Sequence, residues 1–258
     1  MEWFHYLLAA GAAFAAGVVN ALAGGGTLIT FPALTALGLP AVTANITSTV
    51  SLFPGYFGAT LAQRADLRGQ ETRLLLLIPA ALIGGLAGGL LLLYSGEKVF
   101  TRLVPFLILF AVVLLAVGEP LRRRLKQNGG RQGKARASVL IAAFPVALAA
   151  VYGGYFGAGL SVILLAILAL TLEDSLTRLN ALKQSLALAA NSAAAVYFLF
   201  SGQVNWGVAG VMAVSALIGG AAGGRLAGRI PPATLRWLVI SIGLTVSIIF
   251  FIRYYFNA

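Results

Sequence analysis

The amino-acid sequence predicts an all-α integral membrane protein made of two related halves. Three observations lead to this fold class: a composition too apolar for a soluble domain, apolar stretches of membrane-spanning length along the chain, and a motif that occurs twice. The chain is 60% hydrophobic and only 10% charged, with a mean hydropathy of +0.94. Soluble domains carry about 25% charged residues, so this chain could not cover a globular surface with solvated side chains.

The apolar stretches are spread over the whole sequence, and a spanning helix needs about 20 such residues. The candidate spans are Trp3–Ala23, Ala41–Ala62, Arg73–Tyr94, Val99–Val117, Ser138–Tyr155, Leu176–Phe200, Asn205–Leu226 and Leu235–Phe256. Two further apolar segments, Thr27–Leu37 and Leu160–Leu172, are too short to span alone. The first stretch has no basic residues before it, so we expect it to be retained and not cleaved as a signal peptide.

The charge distribution indicates how the chain lies in the membrane. The net charge is +11, and much of it comes from one segment, Glu119–Ala137, which holds seven Lys and Arg residues. Basic loops lie on the cytoplasmic side, so we expect a multi-pass plasma-membrane protein with this loop in the cytoplasm. Because apolar spans flank the loop on both sides, we expect the lipid bilayer as its neighbour and no nucleic-acid partner.

An internal repeat divides the chain. The sequence "ALIGGLAGG" at Ala81–Gly89 returns as "ALIGGAAGG" at Ala216–Gly224, 135 residues later, and Asn45 and Asn180 have the same offset. We therefore expect a first transmembrane repeat over residues 1–118, the basic cytoplasmic loop over 119–137, and a second repeat over 138–258. Secondary transporters are commonly built from such repeats, with the substrate site between them near the bilayer midplane.

The relative orientation of the halves depends on the glycine-broken segment that opens each one. Each half has about four helical segments: three clear spans and this broken segment, which is either one interrupted crossing or a re-entrant hairpin. The hairpin places the basic loops Gln63–Thr72 and Arg225–Arg236 on the cytoplasmic side together, and it makes the halves inverted. The length of Trp3–Ala23 favours a single crossing, which would make the halves parallel. Charge asymmetry leads us to favour inverted repeats.

Glycines interrupt an apolar segment at corresponding places in the two halves. The first break comprises Gly24, Gly25 and Gly26, and the second comprises Gly157, Ala158 and Gly159. Helices are expected directly after them, from Thr27 and near Leu160. The first N–H groups of a helix and its macrodipole favour an anion, so two such N-termini meeting at the midplane would hold a small anion. Close helix packing is the alternative explanation, and it fits the glycines of the repeated motif better.

Polar side chains inside the following spans are further candidates for contact with a substrate. The first half offers Asn45, Thr47 and Ser48, and the second offers Asn180, Lys183 and Gln184. Lys183 aligns with Ser48 at the 135-residue offset and is a cation well inside an apolar run. An ionisable group at that depth predicts a function. The alternative is that its stem reaches the membrane interface and leaves the ammonium in water.

Catalysis and cofactor binding have no support in the sequence. His5 is the only histidine and lies near the start of the chain, there are no cysteines, and the acidic residues fall in loops or at span ends. We therefore expect no metal site, no catalytic residues, no cofactor and no enzyme activity. A homo-oligomer is compatible with the sequence but not required by it.

The stretch "GVVNALAGGGTLITFPALTALGLPAVTANITSTVS" resembles the TauE/SafE sulfite-exporter-like permease family. The matching features are the glycine triplet, Pro32, the "LGLP" turn and the "A-N-x-T-S" start of the next helix, with "GGYFGAGLS" and "GQVNW" in the second half. The resemblance implies a polytopic plasma-membrane transporter of small sulfur-containing anions such as sulfite or sulfonates. The two halves are not equivalent: the second has "GAG" where the first has "GGG", and Lys183 where the first has Ser48.

These observations lead to one functional hypothesis and two alternatives. We expect a secondary transporter that moves a small anion, such as a sulfur oxyanion or organosulfonate, by alternating access at a midplane site between the repeats. A passive anion channel is the alternative within transport. A membrane scaffold or assembly factor that transports nothing is the alternative of another class.

Overall fold

The computed structural model describes residues 3–22, 24–127, 135–226 and 232–255, and within these ranges the regular secondary structure is helical, with no strands. The α-helices are α1 (Trp3–Leu22), α2 (Thr27–Ala36), α3 (Ala41–Ala62), α4 (Glu71–Gln127), α5 (Ala135–Tyr155), α6 (Leu160–Thr171), α7 (Leu176–Leu199), α8 (Trp206–Arg225) and α9 (Pro232–Tyr255). A short 3-10 helix, Arg64–Leu67, precedes α4.

Several of these helices are long and apolar enough to cross a bilayer. They include α1, α8 and the 47-residue stretch Glu71–Val117 of α4. Gly96 has φ 67° and ψ 174°, which interrupts α4 and divides this stretch into two arms. The prediction of an all-helical fold is confirmed for the described residues, and these helices are compatible with an integral membrane protein. The basic loop predicted over Glu119–Ala137 and most of Arg225–Arg236 lie outside the residues whose side chains the structure describes.

Helices α1, α3 and α8 run in the same direction. In each contact a glycine of α8 lies against the backbone or a small side chain of α1 or α3. Residue numbers rise along α8 in the same direction as along α1 and α3. The contacting pairs are Phe14 with Gly219, Val18 with Gly223, Gly55 with Gly220, and Ala62 with Gly224. Small residues allow this close approach between membrane helices, as expected for the repeated glycine motif.

The first arm of α4, α5 and α7 form a second parallel set. Glycines of α4 lie against α5 on one side and α7 on the other, again with rising residue numbers. The contacting pairs are Gly84 with Ala147, Gly88 with Val151, Gly85 with Ala190, and Gly89 with Ala194. The packing role of both copies of the glycine motif is therefore confirmed.

Polar contacts between α3 and α7 fix the direction of one set against the other. Asn180, near the start of α7, donates its side-chain N–H to Gln63 Oε1 at 2.7 Å, just after α3 ends. The backbone N–H of Asn205, beyond the end of α7, donates to Thr47 Oγ1 at 3.1 Å, near the start of α3. Helices α3 and α7 are therefore antiparallel, and so are the two sets to which they belong.

The second arm of α4 and α9 pack against each other in opposite directions. Ser247 of α9 donates its hydroxyl to the Pro105 carbonyl at 2.9 Å. Farther along α4, Val112 lies against Gly243, so residue numbers fall in α9 as they rise in α4. These two helices enclose the glycine breaks from one side, since Leu115 and Val239 are the side chains closest to Gly25.

An ion-pair cluster joins the first turns of α4 and α7 through a residue of the loop before α7. Asp174 contacts Arg73 at 2.6 Å and Arg178 at 2.8 Å. Partial burial is the largest single influence and raises the pKa of Asp174. Hydrogen bonds from Arg178, Arg73 and the Ser175 N–H together outweigh it and hold the pKa below its ordinary value of 3.8. We call residues 63–73 and 172–178 the arginine-rich end.

The opposite end carries a different contact. Glu97, directly after Gly96, accepts the backbone N–H groups of Ala41 at 2.6 Å and Val42 at 2.9 Å. Its carboxylate therefore caps the first turn of α3, where negative charge is favourable. This contact ties the turn between the two arms of α4 to the start of α3.

Candidate functional site

The first glycine break reverses the chain at the end of α1. Gly24 and Gly25 have φ values of +81° and +93°, which side chains with a β-carbon rarely adopt. The Gly24 N–H donates to the Val19 carbonyl at 2.8 Å. Gly26 then lies beside α1, because a β-carbon there would be 2.5 Å from the Ala16 carbonyl oxygen. Helix α2 therefore starts by folding back along α1.

The second break has the same construction. Gly157 and Gly159 have φ values of +81° and +80°, and the Gly157 N–H donates to the Tyr152 carbonyl at 3.3 Å. The Tyr152 hydroxyl donates to the Ala158 carbonyl at 2.6 Å, which fixes the turn. Helix α6 begins directly afterwards, at Leu160.

The two breaks face each other. A β-carbon at Gly24 would lie 2.7 Å from Cβ of Ser161, in the first turn of α6. Reciprocally, a β-carbon at Gly157 would lie 3.5 Å from Oγ1 of Thr27, in the first turn of α2. The N-termini of α2 and α6 therefore meet, each in contact with the break that precedes the other.

Ser161 is a polar residue of this junction that the sequence reasoning missed. It is 3% exposed, and its Oγ has no hydrogen-bond partner among the described residues. An unpaired hydroxyl in a buried position costs free energy unless it serves a ligand. The signal was present in the sequence, since Ser161 follows Gly159 by two residues within the quoted "GGYFGAGLS".

Asn20 caps the start of α2. Its side chain accepts a backbone N–H group that we expected to be available for an anion. The Gly26 N–H donates to Asn20 Oδ1 at 2.7 Å. Asn20 in turn accepts Gln184 Nε2 on its backbone carbonyl at 3.2 Å. This hydrogen bond holds Gln184, one of the predicted site residues, at the first break.

Asn45 occupies the equivalent place at the second break. Its Nδ2 donates to the carbonyl of Tyr155, the last residue of α5, at 2.9 Å. Asn45 and Gln184 are both 0% exposed. The side-chain oxygen of each, Asn45 Oδ1 and Gln184 Oε1, has no hydrogen-bond partner among the described residues. The carbonyl partner identifies which end of each amide is the nitrogen, so the unpaired atom is the oxygen.

Ser48 and Lys183, which align in the two halves, differ in their surroundings. The Ser48 hydroxyl shares a 2.6 Å hydrogen bond with the Thr30 hydroxyl, in the second turn of α2. Lys183 is only 2% exposed and is among the largest fully buried side chains. An ammonium that reached the interface would leave its residue more exposed than this, so the Lys183 side chain lies within the protein. Its role in substrate binding stays a prediction.

Two candidates lie away from the junction of the breaks. Thr47, two residues after Asn45 on α3, accepts the backbone N–H of Asn205 directly before α8. Asn180 is bonded to Gln63 at the arginine-rich end. The structure thus brings the glycines, Thr27, Ser48, Asn45 and Gln184 to the breaks and places Thr47 and Asn180 elsewhere.

The chemistry at the breaks is that of binding by neutral dipoles. Among the described residues no group of three His, Cys, Asp or Glu could hold a metal ion. Helix N-termini, hydroxyl groups and amides surround the junction, and Lys183, which precedes Gln184 on α7, is buried. Such an arrangement can hold a small polar ion in a low-dielectric environment.

Comparison with known proteins identifies the group to which the chain belongs. The family model described as "Sulfite exporter TauE/SafE" matches residues 9–250. A "Probable membrane transporter protein" of Haemophilus influenzae is 28% identical over 214 residues, covering 83% of this chain and 81% of the relative. The "Probable membrane transporter protein YfcA" of Escherichia coli K12 is 27% identical over 244 residues, covering 91% and 85%.

A "Probable membrane transporter protein ORF9" of a Sinorhizobium species is 27% identical over 241 residues, covering 92% of this chain and 88% of the relative. No solved structure matches the chain significantly. Since the family model covers nearly the whole sequence, the protein belongs to the TauE/SafE sulfite exporter family of membrane transporters.

Proposed function

We propose that this protein is a secondary transporter of a small anion, and that the anion binds where the N-termini of α2 and α6 meet. The observation that carries the proposal is the reciprocal contact of Gly24 with Ser161 and of Gly157 with Thr27. Each helix N-terminus carries about half a positive charge, and two of them converge on one point. The glycines let the two breaks pack closely together, because there is no β-carbon in the way.

The position of the junction fits a site near the bilayer midplane. Helix α2 has 10 residues and α6 has 12, which correspond to about 15 Å and 18 Å at 1.5 Å per residue. The hydrocarbon core is about 30 Å thick, so each of these helices reaches from one side to about half depth. A break at that depth is tolerated only where protein or a polar cavity surrounds it.

We also propose that the two halves are inverted repeats and that each opens with a re-entrant hairpin. The first spans of the halves, α1 and α5, belong to opposite sets of helices, and so do α3 and α7. Gly26 lies beside Ala16, which supports a hairpin at the first break. We propose repeats over residues 1–118 and 138–258 that are joined by the basic loop 119–137. Rocking of one repeat against the other would give alternating access.

The membrane orientation follows from charge. Arg64, Arg68, Arg73 and Arg178 lie at the arginine-rich end, and Gly224 near the end of α8 packs against Ala62 at that same end. Both ends of the basic loop 119–137 connect there, since α5 runs parallel to the first arm of α4. We propose that this end faces the cytoplasm in the plasma membrane.

The substrate is proposed to be a sulfur oxyanion or organosulfonate such as sulfite. Support comes from the family to which the chain belongs, and from the buried Lys183, whose charge would attract an anion. A thermal-shift screen of the purified protein tests the substrate class, with sulfite, sulfate, thiosulfate, a sulfonate and acetate as ligands. Stabilisation by sulfite or the sulfonate, and not by acetate, is expected. Equal shifts by all five would contradict a sulfur-anion site.

A further inference from the structure

We propose that Asn45 and the carbonyl end of α5 form a binding site for a monovalent cation, with Na⁺ as the occupant. The inference rests on the proposed function, because it supplies the coupling ion for that same transport site. Its basis is the pair of unsatisfied amide oxygens near the breaks, Asn45 Oδ1 and Gln184 Oε1.

The geometry at Asn45 favours a cation over an anion. Its Nδ2 donates one of its two N–H groups to the Tyr155 carbonyl at 2.9 Å, and the unpaired atom of this amide is Oδ1. Thr49 donates its hydroxyl to the Asn45 backbone carbonyl at 2.9 Å, so that donor is used. Asn45 Oδ1 carries partial negative charge, which attracts a cation and repels an anion.

The position of Asn45 at the C-terminal end of α5 also favours a cation. Tyr155 is the last residue of α5, and the C-terminal end of a helix carries about half a negative charge. Carbonyl and amide oxygens without carboxylates suit a hard cation of low charge. Discontinuous membrane helices use these two ends in opposite ways, with N-termini for anions and C-terminal carbonyls for Na⁺.

The unpaired amide of Gln184 has a lysine beside it on the helix, whereas the unpaired amide of Asn45 does not. Gln184 donates to the Asn20 carbonyl near the end of α1, so it repeats the arrangement of Asn45 at the end of α5. Lys183 precedes it on α7 and is buried, whereas the aligned residue beside the Asn45 site is the neutral Ser48. When protonated, the Lys183 side chain raises the cost of placing another cation nearby. The mobile cation is therefore assigned to the Asn45 site.

Cation binding would reduce the cost of placing an anion between the repeats. A buried charge is expensive unless an opposite charge accompanies it. Na⁺ at the end of α5 and an anion at the N-terminus of α6 would lie on the two sides of one glycine break, Gly157–Gly159. Each ion then stabilises the other, which couples their binding.

Thermal unfolding of the purified protein tests this site without relying on transport. The titrations use sodium gluconate, potassium gluconate and N-methyl-D-glucamine gluconate at equal ionic strength, with no anionic substrate. We expect Na⁺ to raise the unfolding temperature of the wild type more than the other two cations do. In Asn45→Ala the apparent dissociation constant for Na⁺ should rise about tenfold or more.

Asn180→Ala is the matched control, since Asn180 aligns with Asn45 but bonds to Gln63 at the arginine-rich end. It should keep the Na⁺ response. If Asn45→Ala does not fold, Asn45→Asp replaces it, and its carboxylate should strengthen Na⁺ binding about tenfold.

Three results would overturn the cation site: equal shifts in all three salts, an unchanged Na⁺ constant in the Asn45 variants, or loss of the response in Asn180→Ala. The anion site is judged separately, from sulfite-induced shifts in the N-methyl-D-glucamine salt. Failure of one site can therefore be distinguished from failure of the other.

Discussion

Gly24 and Ser161 are in contact although they are 137 residues apart, so that a β-carbon at Gly24 would lie 2.7 Å from Cβ of Ser161. This contact brings the break before α2 to the first turn of α6. It joins the starts of the two short helices, and it places Ser161 at a junction that its sequence position alone does not reveal.

Replacing Ser161 with alanine should separate binding from stability. Its Oγ is buried and has no partner among the described residues, so removing it should leave the unfolding temperature unchanged or raised. If the hydroxyl serves the anion, affinity should fall about tenfold, which corresponds to about 1.4 kcal/mol. Sulfite titrations followed by thermal shift measure both quantities.

Ser192→Ala provides the control for Ser161→Ala. The Ser192 hydroxyl donates to the Leu188 carbonyl within α7 at 2.6 Å, so its loss should not alter sulfite affinity. Unchanged affinity in Ser161→Ala together with a lower unfolding temperature would assign this hydroxyl a structural role only.

Lys183→Gln should weaken sulfite binding at least about tenfold, because the variant removes a buried positive charge that faces little solvent. Lys183→Arg should retain part of the affinity, since the charge remains while its geometry changes. Dissociation constants for sulfite, measured for the wild type and both variants, show whether Lys183 contributes to binding. If Lys183→Gln binds sulfite as tightly as the wild type, Lys183 is not part of the site.

Asp174→Asn should lower stability in a pH-dependent way. The pKa of Asp174 is lowered in the folded protein, so its contribution is fully present above the unfolded value of 3.8 and is lost as the pH falls through the folded pKa. At pH 7 the variant should lose about 1.5–3 kcal/mol, the range for hydrogen bonds to charged groups. Thermal unfolding in detergent at pH 7 and at pH 3 measures the difference.

Asp66→Asn removes a carboxylate from the neighbouring loop and controls for the change in net charge. Its effect should be smaller than that of Asp174→Asn at pH 7. A destabilisation by Asp174→Asn that is as large at pH 3 as at pH 7 would show that the ion pairs with Arg73 and Arg178 are not its cause.

The proposed orientation can be tested because the chain contains no cysteine. Cysteines introduced at Ala65, which is exposed, and at Ala233 should both be protected from an impermeant thiol reagent in intact cells, since basic loops favour the cytoplasm. Gln203→Cys, in the uncharged loop before α8, should react. Labelling of Ala233→Cys from outside would contradict the inverted arrangement.

Much of the fold could be predicted from the sequence because apolar length is a strong signal. The predicted span Ala41–Ala62 coincides with α3, and the short segments Thr27–Leu37 and Leu160–Leu172 end within one residue of α2 and α6. Glycine runs indicated both breaks. The partners of these glycines could not be predicted, because contacts between distant segments leave no periodic trace in the sequence.

The amides show where repeat alignment stops being sufficient. The 135-residue offset pairs Asn45 with Asn180, but the residue that repeats the contact of Asn45 is Gln184, four residues later on α7. Residues four apart lie on the same helix face, one turn from each other. Alignment therefore identifies the helix and its face, whereas the turn that reaches the broken helix depends on packing.

Counterflow of radiolabelled sulfite in proteoliposomes tests the central claim most directly. With unlabelled sulfite inside, the wild type should transiently accumulate label above its equilibrium level, which a channel cannot do. Gly24→Leu should abolish the accumulation because its side chain enters the junction with Ser161, while Gly11→Leu, where a β-carbon meets nothing within 4 Å, should keep it. Absence of accumulation in the wild type, or wild-type accumulation by folded Gly24→Leu protein, would contradict an anion site between the two breaks.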